Sequence, residues 1–223
     1  MPQKPSTARF APARRSAVSP AVQGLIAVCT LVELVLQGAD HGLWGSVLWR
    51  QLAWQYGGFW PGLLQDWQPN FRCQAGVMFV THSFLHAGFG HLFGNMVTLA
   101  ALGRMMPRRT TTGGFAALYA LSSLGGALGF ALLDHGSAPM VGSSGAIFGL
   151  AGALTLWDAQ ARRGDVISRL ALILLGLILL NLVTWWMQGG NLAWQAHLGG
   201  FLTGFTLAAT CRAYPRLVAK IRS

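Results

Sequence analysis

The stretch Met140-Val-Gly-Ser-Ser-Gly-Ala-Ile-Phe-Gly149 decides how the rest of the chain is read. Pro139 and Gly142 mark a turn, and the residues from Ser144 onward continue as an apolar helix. Two adjacent serines therefore stand at the entry to a helix that is otherwise almost devoid of polar groups. Two more polar clusters interrupt apolar surroundings. One is Thr81-His82-Ser83-Phe84-Leu85-His86, continuing to His91-Leu92-Phe93-Gly94-Asn95; the other is Ala196-His197-Leu198-Gly199-Gly200.

Composition places these clusters in a membrane. Of 223 residues, 53% are apolar and 10% charged, and mean hydropathy is +0.46, whereas soluble domains are about a quarter charged. The apolar runs approach the ~20 residues a helix needs to cross a bilayer. The length leaves little for a second domain. Cys29, Cys73 and Cys211 are far apart and form no CxxC or metal spacing, so they read as unpaired structural residues. Neither a metal nor a cofactor is expected.

The order of segments follows from hydropathy. Residues 1–19 are rich in Pro, Ala, Ser and Arg and read as a disordered basic arm. Pro20–Gly38 reads as a retained first span, because the apolar run is long for a signal peptide and no small-residue cleavage site ends it. It carries Glu33, read as a protonated or hydrogen-bonded packing residue. Residues 39–75 hold Trp44, Trp49, Trp54, Trp60 and Trp67 among polar residues, the pattern of a long loop with short amphipathic helices lying at the membrane interface. Further spans are expected at 88–106, 112–133, 144–157, 169–187 and 195–211, with a short basic tail at 214–223. The expectation is an all-α, six-span bundle over 20–213 with a Trp-rich interfacial loop after its first helix.

The net charge of +10 would ordinarily suggest nucleic acid, but its distribution excludes that class. Fourteen of the sixteen Lys and Arg residues fall in the arm, the 2–3 connection, the 4–5 connection and the tail; Arg50 and Arg72 are the exceptions. Cytoplasmic loops carry this excess, so both termini are expected in the cytoplasm.

Helices 2, 4 and 6 then run in the same direction. Asn95, Ser144 and His197 precede the next charged residue by 9 to 15 positions, roughly 15–22 Å above the cytoplasmic edge at ~1.5 Å per residue. Polar residues at one shared depth must face a wet interior rather than lipid. A serine becomes a useful nucleophile once a base takes its proton, and His197 is a base suited to neutral pH. The free N–H groups of a helix start can hold an oxyanion beside Ser144. Phe148, one turn after Ser144, is placed to stack on the imidazole. Of the six acids, Glu33, Asp40, Asp66, Asp134, Asp158 and Asp165, none is an evident third member, so a Ser–His dyad is expected. Ala146 stands where the GxSxG elbow of α/β-hydrolases needs glycine, which disfavours that fold. His82 and His86, four apart, with His91 beyond, also admit a metal- or haem-binding reading; for His82 the favoured role is capping a helix or anchoring a loop.

These residues resemble the rhomboid family of intramembrane serine proteases. Gly142-Ser143-Ser144-Gly145 is similar to the family's GxSG, His86…His91-x-x-x-Asn95 to its helix 2 motif, and Ala196-His197-Leu198-Gly199-Gly200 to the segment with its catalytic histidine. Gly145-x-x-x-Gly149 and Gly200-x-x-x-Gly204 resemble its close helix 4–helix 6 contact. The resemblance, which covers about residues 20–213, implies a bacterial, six-helix form in the inner membrane. It makes Ser144 and His197 the catalytic pair, with His91, Asn95, Ser143, Gly142, His86 and Phe148 as oxyanion or supporting residues. The substrate it implies is a transmembrane segment of another protein, unwound near helix-destabilising residues and cut near the outer face. It also leaves room for a non-proteolytic member that binds membrane clients, and it says nothing of oligomeric state. One departure stands out: Val77-Met78 replaces the family's Trp-Arg, leaving Arg72 as the candidate anchor for the Trp-rich loop.

Overall fold

Local signals in the sequence set the ends of the helices. Ser19 accepts a hydrogen bond from the Val22 N–H at 3.4 Å, and Pro20 opens the first turn, so α1 runs Pro20–Asp40. Thr111 caps the start of Thr112–Leu133 in the same way, accepting from the Gly114 N–H at 3.1 Å. In the computed structural model, residues 18–134, 136–161 and 192–221 are described, with isolated helical positions between 168 and 179. The expected fifth span 169–187, nearly all of the basic arm, the arginines at 162, 163 and 169, and His135 lie outside the described residues.

After α1 come α2 (Trp49–Gly57), α3 (Gln74–Thr81), α4 (Phe89–Gly103), α5 (Thr112–Leu133), α6 (Ser144–Ala161) and α7 (Trp194–Ile221). The described residues are helical, without a strand; one isolated antiparallel bridge joins Phe59 to Met140. α5, α6 and α7 pack as a tight trio, and α1 pairs with α4 alongside. α1 and α5 are each long and apolar enough to cross a membrane, while α4 is apolar but shorter. Their outward faces are apolar too: Leu132 is 75% exposed and Leu31 64%.

Two features depart from the sequence reading. Gln74–Thr81 is a helix, although no element is expected there from the sequence; no side chain caps its N-terminus, while at its C-terminus the His82 ring donates to the Met78 carbonyl. The final helix continues past Cys211 to Ile221.

One apolar cluster fills the centre of the bundle, with Leu99 from α4, Phe115 from α5 and Leu150 and Trp157 from α6. A second gathers Phe59, Met78, Phe130, Met140 and Ala196 beneath the stretch that leads into α6. Phe59 is fully buried there. Its ring meets Phe79, His82 and Phe130 edge-on at centroid distances of 4.9, 5.8 and 6.3 Å. Its backbone exchanges two hydrogen bonds of 2.9 Å with Met140. The Trp-rich segment is thus tied by one aromatic residue to the turn before the serines. Phe59→Ala is expected to cost about 3–5 kcal/mol of stability, the usual range for emptying a buried aromatic site, read as a lowered unfolding midpoint in detergent. A cost below about 0.5 kcal/mol, typical of surface positions, would show that this ring does not hold the segment.

Arg50, on α2, supplies a further tie. Its guanidinium meets Glu33 (Nη2–Oε1 2.8 Å, Nη1–Oε2 3.1 Å), Asp40 (Nε–Oδ2 2.6 Å) and the His86 carbonyl (Nη1–O 2.9 Å). Gln37 donates to Glu33 Oε1 at 3.0 Å. Burial works to lower the Arg50 pKa, but the hydrogen bonds that Arg50 donates to Glu33 and Asp40, with the charges of both acids, outweigh it and raise the pKa. Glu33 is hydrogen-bonded, one of the two states expected of it, and its main partner is a paired cation. The expected loop anchor is corrected: the charged anchor is Arg50. Arg72 is exposed, and no hydrogen bond or ion pair is found for it among the described residues.

Candidate active site

The turn before α6 is built around Gly142. Its φ of +122° lies where side chains are strained, and a Cβ there would come within 2.8 Å of His91 Cε1. Its N–H donates to the His82 carbonyl at 2.9 Å. The His82 ring is itself fixed, because Nδ1–H donates to the Met78 carbonyl at 2.8 Å. A carbonyl can only accept, so the proton on Nδ1 follows from the contact.

Ser143 then caps the helix: its carbonyl accepts from the Ile147 N–H at 3.1 Å, the first regular bond of α6. Ser144 occupies the first helical position, where backbone N–H groups have no partner within the helix. The structure separates the two serines. Ser143 is fully buried, whereas Ser144 Oγ lies 2.9 Å from His197 Nε2. With the neutral imidazole protonated at Nδ1, Ser144 donates that bond and His197 accepts it, the arrangement in which a hydroxyl is ready to lose its proton.

His197 sits in the first turn of α7 and is 5% exposed. The Phe148 ring lies on it, centroids 4.2 Å apart and planes 4° from parallel. Stacking of this kind leaves the ring edge free while fixing its plane.

Two donors face the same turn from α4. Asn95 Nδ2 lies 3.5 Å from the place a Gly142 Cβ would occupy, and it is buried without a hydrogen-bond partner. A buried unpaired donor is costly and calls for a reason; an oxygen anion at this turn would satisfy it. His91 Nδ1 accepts from the Ala87 N–H at 3.3 Å, so the neutral ring carries its proton on Nε2, 3.0 Å from that same Gly142 position. His86 is buried behind His91, ring against ring at 5.3 Å and 69°. Ser144, His197, Phe148, Gly142, His91, Asn95 and His86 therefore gather at one place.

A cavity of about 530 Å³ opens beside this turn, with His91, Val141, Phe130, Asp134 and Trp54 among its walls. Asp134 is occupied, its carboxylate accepting from Gln195 Nε2 at 3.0 Å and from the Gly136 N–H at 2.9 Å. Sequence reasoning passed over Phe59, Arg50 and the Ala87 N–H. Only Arg50 left a signal, as one of two positive charges on the side where the charge count expects few.

The family model of the Rhomboid domain matches residues 74–214, which is more than half of the chain and contains every residue of the site. The chain belongs to the rhomboid family. Rhomboid proteins are integral membrane proteins, and α1 and α5 are two candidate spans here. Among similar proteins, RHOMBOID-like protein 5 of Arabidopsis thaliana is 38% identical over 130 residues, 56% of this chain and 40% of the relative. Rhomboid-like protease 1 of Toxoplasma gondii is 33% identical over 130 residues, 56% and 43% respectively. Rhomboid protease GluP of Bacillus subtilis (strain 168) is 31% identical over 130 residues, 58% and 25%. The aligned part is less than half the length of each of these relatives. Two of them carry the word protease in their names, which places this rhomboid chain in a family with proteolytic members.

Proposed function

We propose that this rhomboid is an intramembrane serine endopeptidase, acting on transmembrane segments of other membrane proteins. The single observation that carries the proposal is the 2.9 Å contact between Ser144 Oγ and His197 Nε2 at the head of a helix. Ser144 attacks the scissile carbonyl, and His197 Nε2 takes its proton. The oxyanion is held by Asn95 Nδ2–H, His91 Nε2–H and the free N–H groups of the α6 start. His197 then gives its proton to the leaving amine, and water enters through the same base to release the acyl group. The reading includes six spans over 20–213, a basic arm and a basic tail in the cytoplasm, and an interfacial Trp-rich segment with exposed Trp44, Trp49 and Trp67. It places the chain in a bacterial inner membrane.

The test is covalent labelling of purified protein with a fluorophosphonate or isocoumarin probe, alongside cleavage of a reconstituted transmembrane substrate. Labelling and cleavage persist in Ser143→Ala and vanish in Ser144→Ala. Neither reaction in the parent chain, with the protein folded, would leave the non-proteolytic, client-binding reading standing in its place.

A further inference from the structure

Arg50 spans three parts of the molecule. It holds Glu33 and Asp40 of α1, which packs against α4, and it donates to the carbonyl of His86 at 2.9 Å. That carbonyl belongs to the turn leading into α4. The next N–H, of Ala87, is the donor that His91 Nδ1 accepts at 3.3 Å. The His86 ring packs against the His91 ring, and His91 overhangs Gly142. A continuous chain of contacts therefore runs from the Glu33 carboxylate, 1% exposed, through Arg50 and the 86–87 backbone to the donor above Ser144.

We propose that Arg50, clamped by Glu33 and Asp40, is a positioning residue that sets the place and tautomer of His91 for catalysis. This rests on the proteolytic reading given above. The geometry needs arginine specifically. Its planar fork makes two bonds to Glu33 while Nη1 also reaches the His86 carbonyl and Nε reaches Asp40. A lysine ammonium keeps the charge for Glu33 but lacks a rigid fork to serve all three acceptors at once. Without the bond to its carbonyl, the 86–87 turn is free to shift. The Ala87 N–H then leaves His91 Nδ1, and His91 loses the reason to keep its proton on Nε2. Displacements of about 1 Å at such a group are known to cost on the order of 100-fold in rate.

The experiment compares Arg50→Lys, Arg50→Met and Glu33→Gln in proteoliposomes. It reads kcat and KM for a transmembrane substrate, the thermal unfolding midpoint, and hydrogen exchange at the Ala87 amide. Arg50→Lys is expected to keep the midpoint close to that of the parent chain, lower kcat by about 10- to 100-fold, leave KM unchanged and speed Ala87 exchange. Arg50→Met and Glu33→Gln are expected to lower both kcat and the midpoint. The proposal is overturned if Arg50→Lys retains full kcat and full Ala87 protection. It is also overturned if kcat and midpoint fall in proportion across all three variants, since a purely structural tie behaves that way. Should the parent chain cleave nothing, the proteolytic reading fails, and Ala87 exchange still decides whether Arg50 governs the His91 turn.

Discussion

Ser144→Ala and His197→Ala are each expected to lower turnover of a transmembrane substrate by roughly 10⁴- to 10⁶-fold, and the double variant by no more than the worse single one. The reason is mechanical. The hydroxyl and the imidazole share one hydrogen bond of 2.9 Å, so removing either leaves the other without a role: an alanine at 144 offers no proton, and an alanine at 197 offers no base. Activity that survives both changes comes from the oxyanion donors, Asn95 Nδ2 and His91 Nε2, and from substrate binding. The measurement is the initial rate for the parent, both single variants and the double variant, with the unfolding midpoint as the folding control. Multiplicative losses in the double variant would mean that the two residues act at separate steps, and the dyad would have to be abandoned. A residual rate in Ser144→Ala within about tenfold of the parent, against the far larger loss expected of a missing nucleophile, would point to another nucleophile.

The site was legible in the sequence because each of its members is expensive where it lies. A histidine, an asparagine and two serines inside apolar helices need partners, and the depth count brought Asn95, Ser144 and His197 level before any coordinates. The distinction between Ser143 and Ser144 in the structure comes down to helical position: 143 is the cap and 144 the first residue, one step that turns the hydroxyl toward α7. The ties between distant segments were not legible. Arg50 finds Glu33 seventeen residues away and the His86 carbonyl thirty-six away, and neither distance has a period. Met140 bonds to the backbone of Phe59, and backbone bonds carry no side-chain signature. Arg72 is the anchor expected in place of the family's Trp-Arg, whereas the acids that hold the loop's cation, Glu33 and Asp40, are both on α1 and pair with Arg50. The short helix Gln74–Thr81 lacks the N-terminal side-chain cap that would announce it, and its C-terminal carbonyls are met by the side chains of His82 and Ser83 from the turn that follows.

Gly200→Ala is expected to disable the protein more thoroughly than a change of similar size on the outward face of α7. The Gly200 backbone lies against Gly145 of α6, and one turn on Gly204 lies against Gly149; a Cβ at either glycine of α7 would overlap a backbone carbonyl of α6. Carbonyls in a helix are fixed by their own hydrogen bonds, so no side-chain rotation relieves the overlap. The helices must separate, and small-residue contacts of this kind are what holds helices together where water cannot drive them. Separation acts directly on catalysis, because Ser144 stands next to Gly145 on α6 and His197 is less than one turn from Gly200 on α7. Overpacking in a close-packed contact costs typically about 1–3 kcal/mol, and a 2.9 Å hydrogen bond does not survive an ångström of helix displacement. The comparison is Leu202→Ala, on the outward face of the same helix and 53% exposed, which leaves the α6 contact untouched. Gly200→Ala should lower the unfolding midpoint and reduce both probe labelling of Ser144 and substrate turnover by about 100-fold or more, while Leu202→Ala changes neither. A Gly200→Ala protein with parent-like labelling would require that α6 and α7 have room to spare at this crossing, and the close approach described for them would be wrong.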